Sequence, residues 1–490
     1  MAVAEKHLKK LTILHSNDLH GDFLSEKIDK KLLGGASRLS GYVNKVRAQN
    51  KNTLYAIAGD MFRGSVIDSE FKGISTIDIM NLLAPDVVSL GNHEIDYGIA
   101  HLVFLEKCAK FPIVNANLYI KTTKTRLFNS HKILKVDGMK IMFIGILTQE
   151  IMANAKSDQL LGTFVDVEQA AAAVGKICNN YRTQDIDLTV VLTHIGFAAD
   201  KKLAKLLNPK WGVDIIIGGH SHTFLKKAAR VNNVLIAQAG VGTDQIGRFD
   251  MEVNTDTNSI DSYTWKTIPI NAAHCPRDVD LENTILKYKK ETDRKYGRLL
   301  TKFVRPLTHP VRNQETELGN LFADILQSSF GVDLVFVGSG SIRGEKLGPV
   351  VKYGDLVEIF PYDDDIYSLE MTGKQLYQVF THLLRDKAFT GETEYYQISK
   401  NWQVTYDKKA KKIVDLTFKN KTVDLRKKYS VALQKFHFNN LSDFLGVSLK
   451  EVEVNKKPRI ISTSALDIFD EYLTLNTHLD ARIEGRYNFI

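Results

Sequence analysis

Cysteine is scarce: the 490 residues contain three, Cys108, Cys178 and Cys275, odd in number and far apart. That excludes a disulfide framework and a thiolate metal site, and buried reduced thiols are expected. No apolar run is long enough to span a membrane, and no apolar core of a secretory leader follows the charged stretch Met1–Lys10, because Leu11–His15 is only strand length. A cytoplasmic protein without a membrane partner is the expectation. No block of basic residues with interleaved aromatics is present, so the formal net charge of +8 reads as a solvated basic surface, with turns such as Lys408–Lys412, and not as a site for polymeric nucleic acid. Internal repeats and low-complexity tracts are also missing, and nothing in the pattern sets an oligomeric state.

What the chain does have is length for two or three domains and 44% hydrophobic residues with 25% charged, the balance of a soluble globular protein. Between residues 11 and 250, short apolar runs alternate with helical spacing, the form of a layered α/β domain. Strands are predicted at Leu11–His15, Thr53–Ala58, Val87–Leu90, Ile141–Leu147, Leu188–Thr193 and Asp214–Ile217. Leu39, Val43 and Val46 predict a helix after the first strand, and Ile74, Ile77 and Leu82 another before the third. Closing strands follow over 250–275. The charged segment Leu281–Leu300, with Ile285, Tyr288 and Tyr296 as contact points, reads as a linker helix. Domains are thus expected at 1–280 and 301–490, the second mixed α+β. It holds a helix with Leu318, Leu321, Phe322, Ile325 and Leu326 on one face, a strand at Asp333–Val337, a helix over Gly373–Leu384, and further strands at Ile366–Met371, Gln403–Tyr406, Ile413–Phe418 and Tyr429–Gln434.

Five of the apolar runs end in polar motifs: Asp18-Leu19-His20, Gly59-Asp60, Gly91-Asn92-His93-Glu94-Ile95-Asp96, Thr193-His194 and Gly218-Gly219-His220-Ser221-His222. Ligands in such sheets bind at the carboxyl ends of strands. An aspartate and a histidine two apart can aim at one point from a loop leaving a strand, because alternate side chains share a side. Taken alone, each motif is an ordinary surface turn. Together they offer the carboxylate, amide and imidazole donors that two divalent cations about 3.5 to 4 Å apart require.

In this order the motifs resemble the calcineurin-like binuclear metallophosphoesterases. Leu14-His15-Ser16-Asn17-Asp18-Leu19-His20-Gly21 and Gly218–His222 further resemble the 5'-nucleotidase family, over about Leu11 to Phe444. The resemblance implies an α/β fold, a layered β-sandwich flanked by helices, with a second, mixed α+β nucleotide-binding domain. It implies two divalent cations, Mn²⁺ or Zn²⁺ first and Fe²⁺ or Co²⁺ as alternatives. Asp18, His20, Asp60 and His222 would hold one, and Asp60, Asn92, His194 and His220 the other. Asp60 would bridge, which suits a carboxylate with two oxygens. His93 would meet the phosphate, with Asp96 fixing its tautomer. The reaction implied is in-line attack on phosphorus by a water that the cations activate, without a phospho-enzyme.

In the second domain the resemblance carries over to Arg312 and Arg343 for phosphate or carboxylate, to Gly319-Asn320, and to Tyr362 and Phe436 as rings around a base. Three departures stand against it. Gly338 replaces the usual asparagine, Tyr362-Asp363-Asp364 replaces Phe-Gly-Asn, and Asn440-Leu441-Ser442-Asp443 replaces Gly-Gly-Asp-Gly, so altered hydrogen bonding to ribose and base is expected. The expectation is a metal-dependent phosphohydrolase acting on a small nucleotide or related ester. A 2',3'-cyclic phosphodiesterase, a nucleotide-sugar pyrophosphatase, a sulfur-ester hydrolase and a non-catalytic nucleotide sensor are the alternatives.

Overall fold

The computed structural model describes residues 7–28, 31–120, 122–148, 166–391 and 393–490. The chain divides into two compact units, Met1–Thr292 and Asp293–Ile490.

In chain order the first unit contains β1 (Leu8–Ser16), α1 (Ala36–Gln49), β2 (Thr53–Ala58), α2 (Ile74–Leu83), β3 (Val87–Ser89), α3 (Ile99–Cys108), β4 (Ile113–Val114), β5 (His131–Val136) and β6 (Met139–Leu147). After these come α4 (Val167–Asn180), β7 (Leu188–His194), α5 (Phe197–Leu206), β8 (Ile215–Gly218), β9 (Ala229–Val231), β10 (Val234–Ala237), β11 (Gln245–Asn254), β12 (Ser259–Pro269) and α6 (Val279–Tyr296). Two six-stranded sheets result, ordered β12-β11-β1-β2-β3-β4 and β9-β10-β8-β7-β6-β5. The strands β1 to β4 run parallel, as do β6, β7, β8 and β10.

The period-2 rule of strands sorts their side chains between layers. Leu54, Ala56 and Ala58 of β2 join Leu188, Val190 and Leu192 of β7 in one apolar core between the sheets, while Tyr55 and Ile57 face the other way, into the core under α1, α2 and α3. On the second sheet Val191 and Ile216 face α4 and α5. The expected layered sandwich flanked by helices is therefore built of four layers. Parallel strands buried on both faces read as continuous apolar runs, which is why these were legible. Strands β5 and β9, at the far edges, and β10, which pairs with β9 in a hairpin, were not singled out from the sequence.

The helix α6 takes up most of residues 281–300, expected as a linker helix, and the division between the units falls within it, after Thr292. Leu281 and Ile285 are buried in the first unit's core, Tyr288 packs against it, and the Tyr288 hydroxyl donates to Asp78 at 2.5 Å. Their one-turn spacing puts all three on one face, so the first unit runs past residue 280 and ends inside the helix. The expectation of buried cysteines needs correcting: all three are free, but Cys108 is exposed.

The second unit is mixed, as expected. In chain order come α7 (Glu317–Phe330), β13 (Leu334–Gly338), β14 (Ile366–Thr372), α8 (Gly373–Leu383), β15 (Tyr396–Ile398), β16 (Trp402–Asp407), β17 (Lys412–Phe418), β18 (Lys428–Gln434), β19 (Arg459–Ser462) and β20 (Tyr487–Phe489). A five-stranded sheet is ordered β15-β13-β18-β14-β19, and a four-stranded one joins Lys421–Thr422, β17, β16 and β20. Thr316 caps α7 through its side chain, and Thr372 with Gln375 forms a capping box on α8. Among the described residues no helix is long and apolar enough to cross a membrane.

Candidate metal centre

All five polar motifs lie at the carboxyl ends of parallel strands in the first unit. Asp18 and His20 follow β1, Asp60 follows β2, Asn92 follows β3, His194 ends β7, and His220 and His222 follow β8. The loops continue the register of their strands: the N–H of Asp18 donates to the Gly59 carbonyl at 3.1 Å and that of His20 to the Asp60 carbonyl at 2.9 Å. Fully buried, Asp18 also accepts the N–H of His220 at 3.0 Å, tying the two sheets together.

Donor atoms converge on three overlapping groups: Asp18, His20 and His222; His20, Asp60 and His93; and Asp18, Asp60 and His194. His222 Nε2 lies 3.4 Å from Asp18 Oδ1 and 3.1 Å from His20 Nε2. His220 Nδ1 meets Asn92 Oδ1 at 2.8 Å. His194 engages the Ala58 carbonyl through Nδ1 at 2.9 Å, so its Nε2 points at the carboxylates, 3.0 Å from Asp60 Oδ2. That Nε2 is buried with no partner at a hydrogen-bonding angle. Burial alone would push the Asp60 carboxyl up and the His194 imidazole down. The attraction between the two outweighs it, holding Asp60 down at about 2 and His194 up at about 9. A centre that raises a buried imidazole in this way has carboxylate charge for a cation to neutralise, and its donors are all oxygen or imidazole nitrogen. The residues fit two divalent cations.

Backbone strain concentrates at the same points. Asp18, His20, Asp60, His220 and His222 all adopt left-handed φ, between +50° and +79°, which is uncommon outside glycine. Two glycines make room for them. A Cβ at Gly59 would stand 2.6 Å from His194 Nδ1, and one at Gly219 would stand 3.0 Å from Asp18 Oδ2.

His93 and Asp96 sit beside this cluster. His93 Nδ1 is 2.7 Å from Asp96 Oδ2, and this hydrogen bond pushes the imidazole pKa up against the opposing effect of burial. With Nδ1 engaged by the carboxylate, Nε2 is left for a ligand. The ring of His93 stands 5.3 Å from that of His20, so distance alone would also admit it as a metal ligand.

Glu94 had no assigned role in the sequence, although it lies inside the hexapeptide. Fully buried, it accepts the N–H groups of Asp60 at 3.0 Å, Met61 at 2.6 Å and Gly91. Burial and the nearby Asp60 charge push its pKa up to about 7. Asp200 was missed as well: it takes the Thr193 hydroxyl at 2.6 Å and the Gln238 amide at 2.7 Å beneath the second sheet's loops.

Residues 11–224 match the family model described as calcineurin-like phosphoesterase, and residues 297–446 match that of the 5'-nucleotidase C-terminal domain. The chain belongs to the 5'-nucleotidase family. A 5'-nucleotidase of Mus musculus is 27% identical over 422 residues, covering 76% of this chain and 71% of that protein. The trifunctional nucleotide phosphoesterase protein YfkN of Bacillus subtilis (strain 168) is 26% identical over 75% of this chain, which spans 27% of that longer protein. Among solved structures, a 5'-nucleotidase precursor from Thermus thermophilus shares the fold with a TM-score of 0.61, at 23% identity over 98% of this chain and 99% of that one.

In the second unit, two of the three departures from the family pattern meet particular contacts of this chain. At Gly338 a Cβ would stand 2.6 Å from His437 Nε2 and 3.2 Å from the Glu394 carboxyl carbon, so these two side chains occupy the space an asparagine would need. Asp363 accepts from the Ser464 hydroxyl at 2.6 Å and from the N–H of Leu466 at 3.2 Å, and Asp364 accepts the N–H of Phe436 at 2.9 Å. Each carboxylate thus has partners within the protein through one of its oxygens. Asn320 is buried and donates to Glu315 at 2.7 Å and to the Arg482 carbonyl at 2.8 Å.

Arg343 lies over the ring of Tyr362, its guanidinium carbon 5.0 Å from the centroid, and it also bonds the Tyr362 hydroxyl. Arg312 is exposed, and it and Arg343 act electrostatically on Glu394. Tyr362 and Phe436 are both substantially exposed, 42% and 56%, as base-stacking rings must be. The two rings do not touch each other; Phe436 lies near His437 and Phe444.

Proposed function

We propose that the chain hydrolyses phosphate esters of nucleotides, using two divalent cations held by Asp18, His20, Asp60, Asn92, His194, His220 and His222. The observation that carries this reading is the convergence of Asp18, Asp60 and His194 from two sheets on one buried point, with His194 Nε2 aimed at the two carboxylates. Held by these residues, two such cations would supply a lowered pKa for the attacking water and positive charge opposite the phosphoryl oxygens.

The chain's own groups do the rest. Asp60 turns Oδ2 toward both donor sets, 3.0 Å from His194 Nε2 and 3.8 Å from His20 Nε2, while its Oδ1 accepts the main-chain N–H of His93 at 2.9 Å. Asp96 holds the His93 Nδ1 proton, which leaves Nε2 to carry a second proton toward the phosphoryl group or the leaving oxygen. The raised pKa of His93 favours that protonated form. In the second unit, Arg312 and Arg343 suit an anionic group, and Tyr362 and Phe436 suit a base, which stacks on aromatic faces without regard to its identity.

The test is Asp60→Ala with added Mn²⁺ or Zn²⁺. Bound metal measured by elemental analysis should fall from two ions toward none, and turnover of nucleoside monophosphates should vanish. Two ions retained with near-normal turnover would refute the assignment. A panel containing nucleoside 5'-monophosphates, 2',3'-cyclic nucleotides, nucleotide sugars and a thiol ester of sulfate identifies the preferred ester.

A further inference from the structure

Arg63 belongs to none of the five motifs, yet contacts from both halves of the centre meet on it. It follows Asp60 by three residues in the turn that leaves β2, with φ at +64°. Its main-chain carbonyl faces His20 Nδ1 at 3.0 Å. A carbonyl can only accept, so that nitrogen carries the proton and Nε2 of His20 keeps its lone pair for the cluster of carboxylates. The side chain turns the other way. Its Nε–H donates to Asp96 Oδ2 at 3.1 Å, the same oxygen that His93 Nδ1 meets at 2.7 Å.

The position of Arg63 is itself determined by buried groups. Asp68, fully buried, accepts the Arg63 N–H at 2.8 Å and the Tyr97 hydroxyl at 2.7 Å, and it also takes the Thr76 hydroxyl. The Tyr97 ring so fixed lies beneath the guanidinium, whose carbon is 5.0 Å from the ring centroid. Asp68 at the backbone and Tyr97 at the head direct the half-exposed side chain toward Asp96. A carboxylate with one partner rotates with that partner. A second donor, from a guanidinium that stays protonated at any working pH, holds it in place.

We propose that Arg63 is the positioning residue that keeps His93 aligned with the metal centre: its carbonyl orients His20, and its Nε–H anchors the carboxylate that orients His93. The inference rests on the role given above to His93 and Asp96. The two contacts arise from different parts of the residue, so substitution separates them. Replacement of the side chain leaves the carbonyl, and with it the orientation of His20.

The experiment uses the full chain with Mn²⁺ and a nucleoside monophosphate. Arg63→Ala should lower kcat by roughly 10- to 100-fold, the usual cost of losing a partner that orients a functional histidine, with KM and bound metal little changed. Arg63→Gln places an N–H donor the same number of bonds from the backbone as Nε and should recover much of the loss. In an Asp96→Ala background the Arg63→Ala change should cost less than about twofold, because the two act through one contact. Equal cost in both backgrounds would overturn the proposal, as would loss of metal from Arg63→Ala or no recovery with glutamine. If Asp96→Ala and His93→Ala are themselves without effect on kcat, the failure lies in the proposed function of that pair.

Discussion

The Glu94 carboxylate accepts the main-chain N–H of Asp60 at 3.0 Å, so the residue proposed to bridge two cations is set in place by a buried acid that touches neither of its oxygens. The same carboxylate takes the N–H groups of Met61 and Gly91, pinning the loops after β2 and β3 to each other. Glu94→Ala leaves three buried donors unpaired, at about 1 to 3 kcal/mol each. The variant should lose several kcal/mol of stability in urea unfolding together with most of its bound metal. Glu94→Gln, which keeps one acceptor oxygen, should fall between it and the parent. Normal metal content in Glu94→Ala would show that the loops hold their geometry without it.

His93→Ala should reduce kcat by roughly 10² to 10⁴, the range for a positioned acid or electrostatic group, while two ions stay bound. Its ring is close enough to His20 and Asp60 for the opposite outcome to be informative. Loss of one ion would make His93 a ligand.

The first unit should be separable only if its last helix goes with it. A fragment ending at residue 296 keeps Leu281 and Ile285 in the core, and one ending at 280 exposes the surface they cover. Each such side chain contributes about 1.5 to 3 kcal/mol by burial. Thermal melts should place the shorter fragment clearly below the longer one, and indistinguishable melts would mean that α6 is dispensable to that core.

His15 gives the first unit an acid-sensitive point. Trp265 Nε1–H donates to its Nε2 at 2.9 Å, so the proton sits on Nδ1, which is buried without a partner. Burial drives its pKa down to about 3 from the ordinary 6.5. A folded-state pKa below the unfolded one contributes stability that is present above pH 6.5 and is lost as pH falls toward 3, at about 1.4 kcal/mol for each pH unit. His15→Gln can still accept from Trp265 and carries no titrating group. Its melting temperature should fall less steeply than the parent's between pH 6.5 and 4; parallel curves would assign the acid sensitivity elsewhere.

The sequence was most legible where burial was most complete. Thr53–Ala58 and Leu188–Thr193 are apolar runs because both sheet faces are covered, and the motifs at their ends stand out against them. The edge strands β5 and β9 are only partly buried and carry weaker patterns. Glu94, Arg63 and Asp200 were unread for another reason: each works by hydrogen bonds to main chain or to residues distant in sequence, and such pairings leave no spacing to detect. The replacement of asparagine by Gly338 was visible as a departure. Its cause, the His437 ring and Glu394 carboxyl in the vacated volume, depends on residues 56 and 99 positions away and could only be seen in three dimensions.

Five proposed ligands held at left-handed φ mean that the centre stores backbone strain within a well-packed unit. Each such residue costs of order 1 kcal/mol or more, held by loops that are clamped to one another and to buried strand ends. The two properties that a chemist might wish to improve together therefore oppose each other here. Glycine at any of these positions would ease the backbone and delete a donor, so gains in heat resistance have to be sought away from the strand ends, and the catalytic geometry is the first thing a softened molecule gives up.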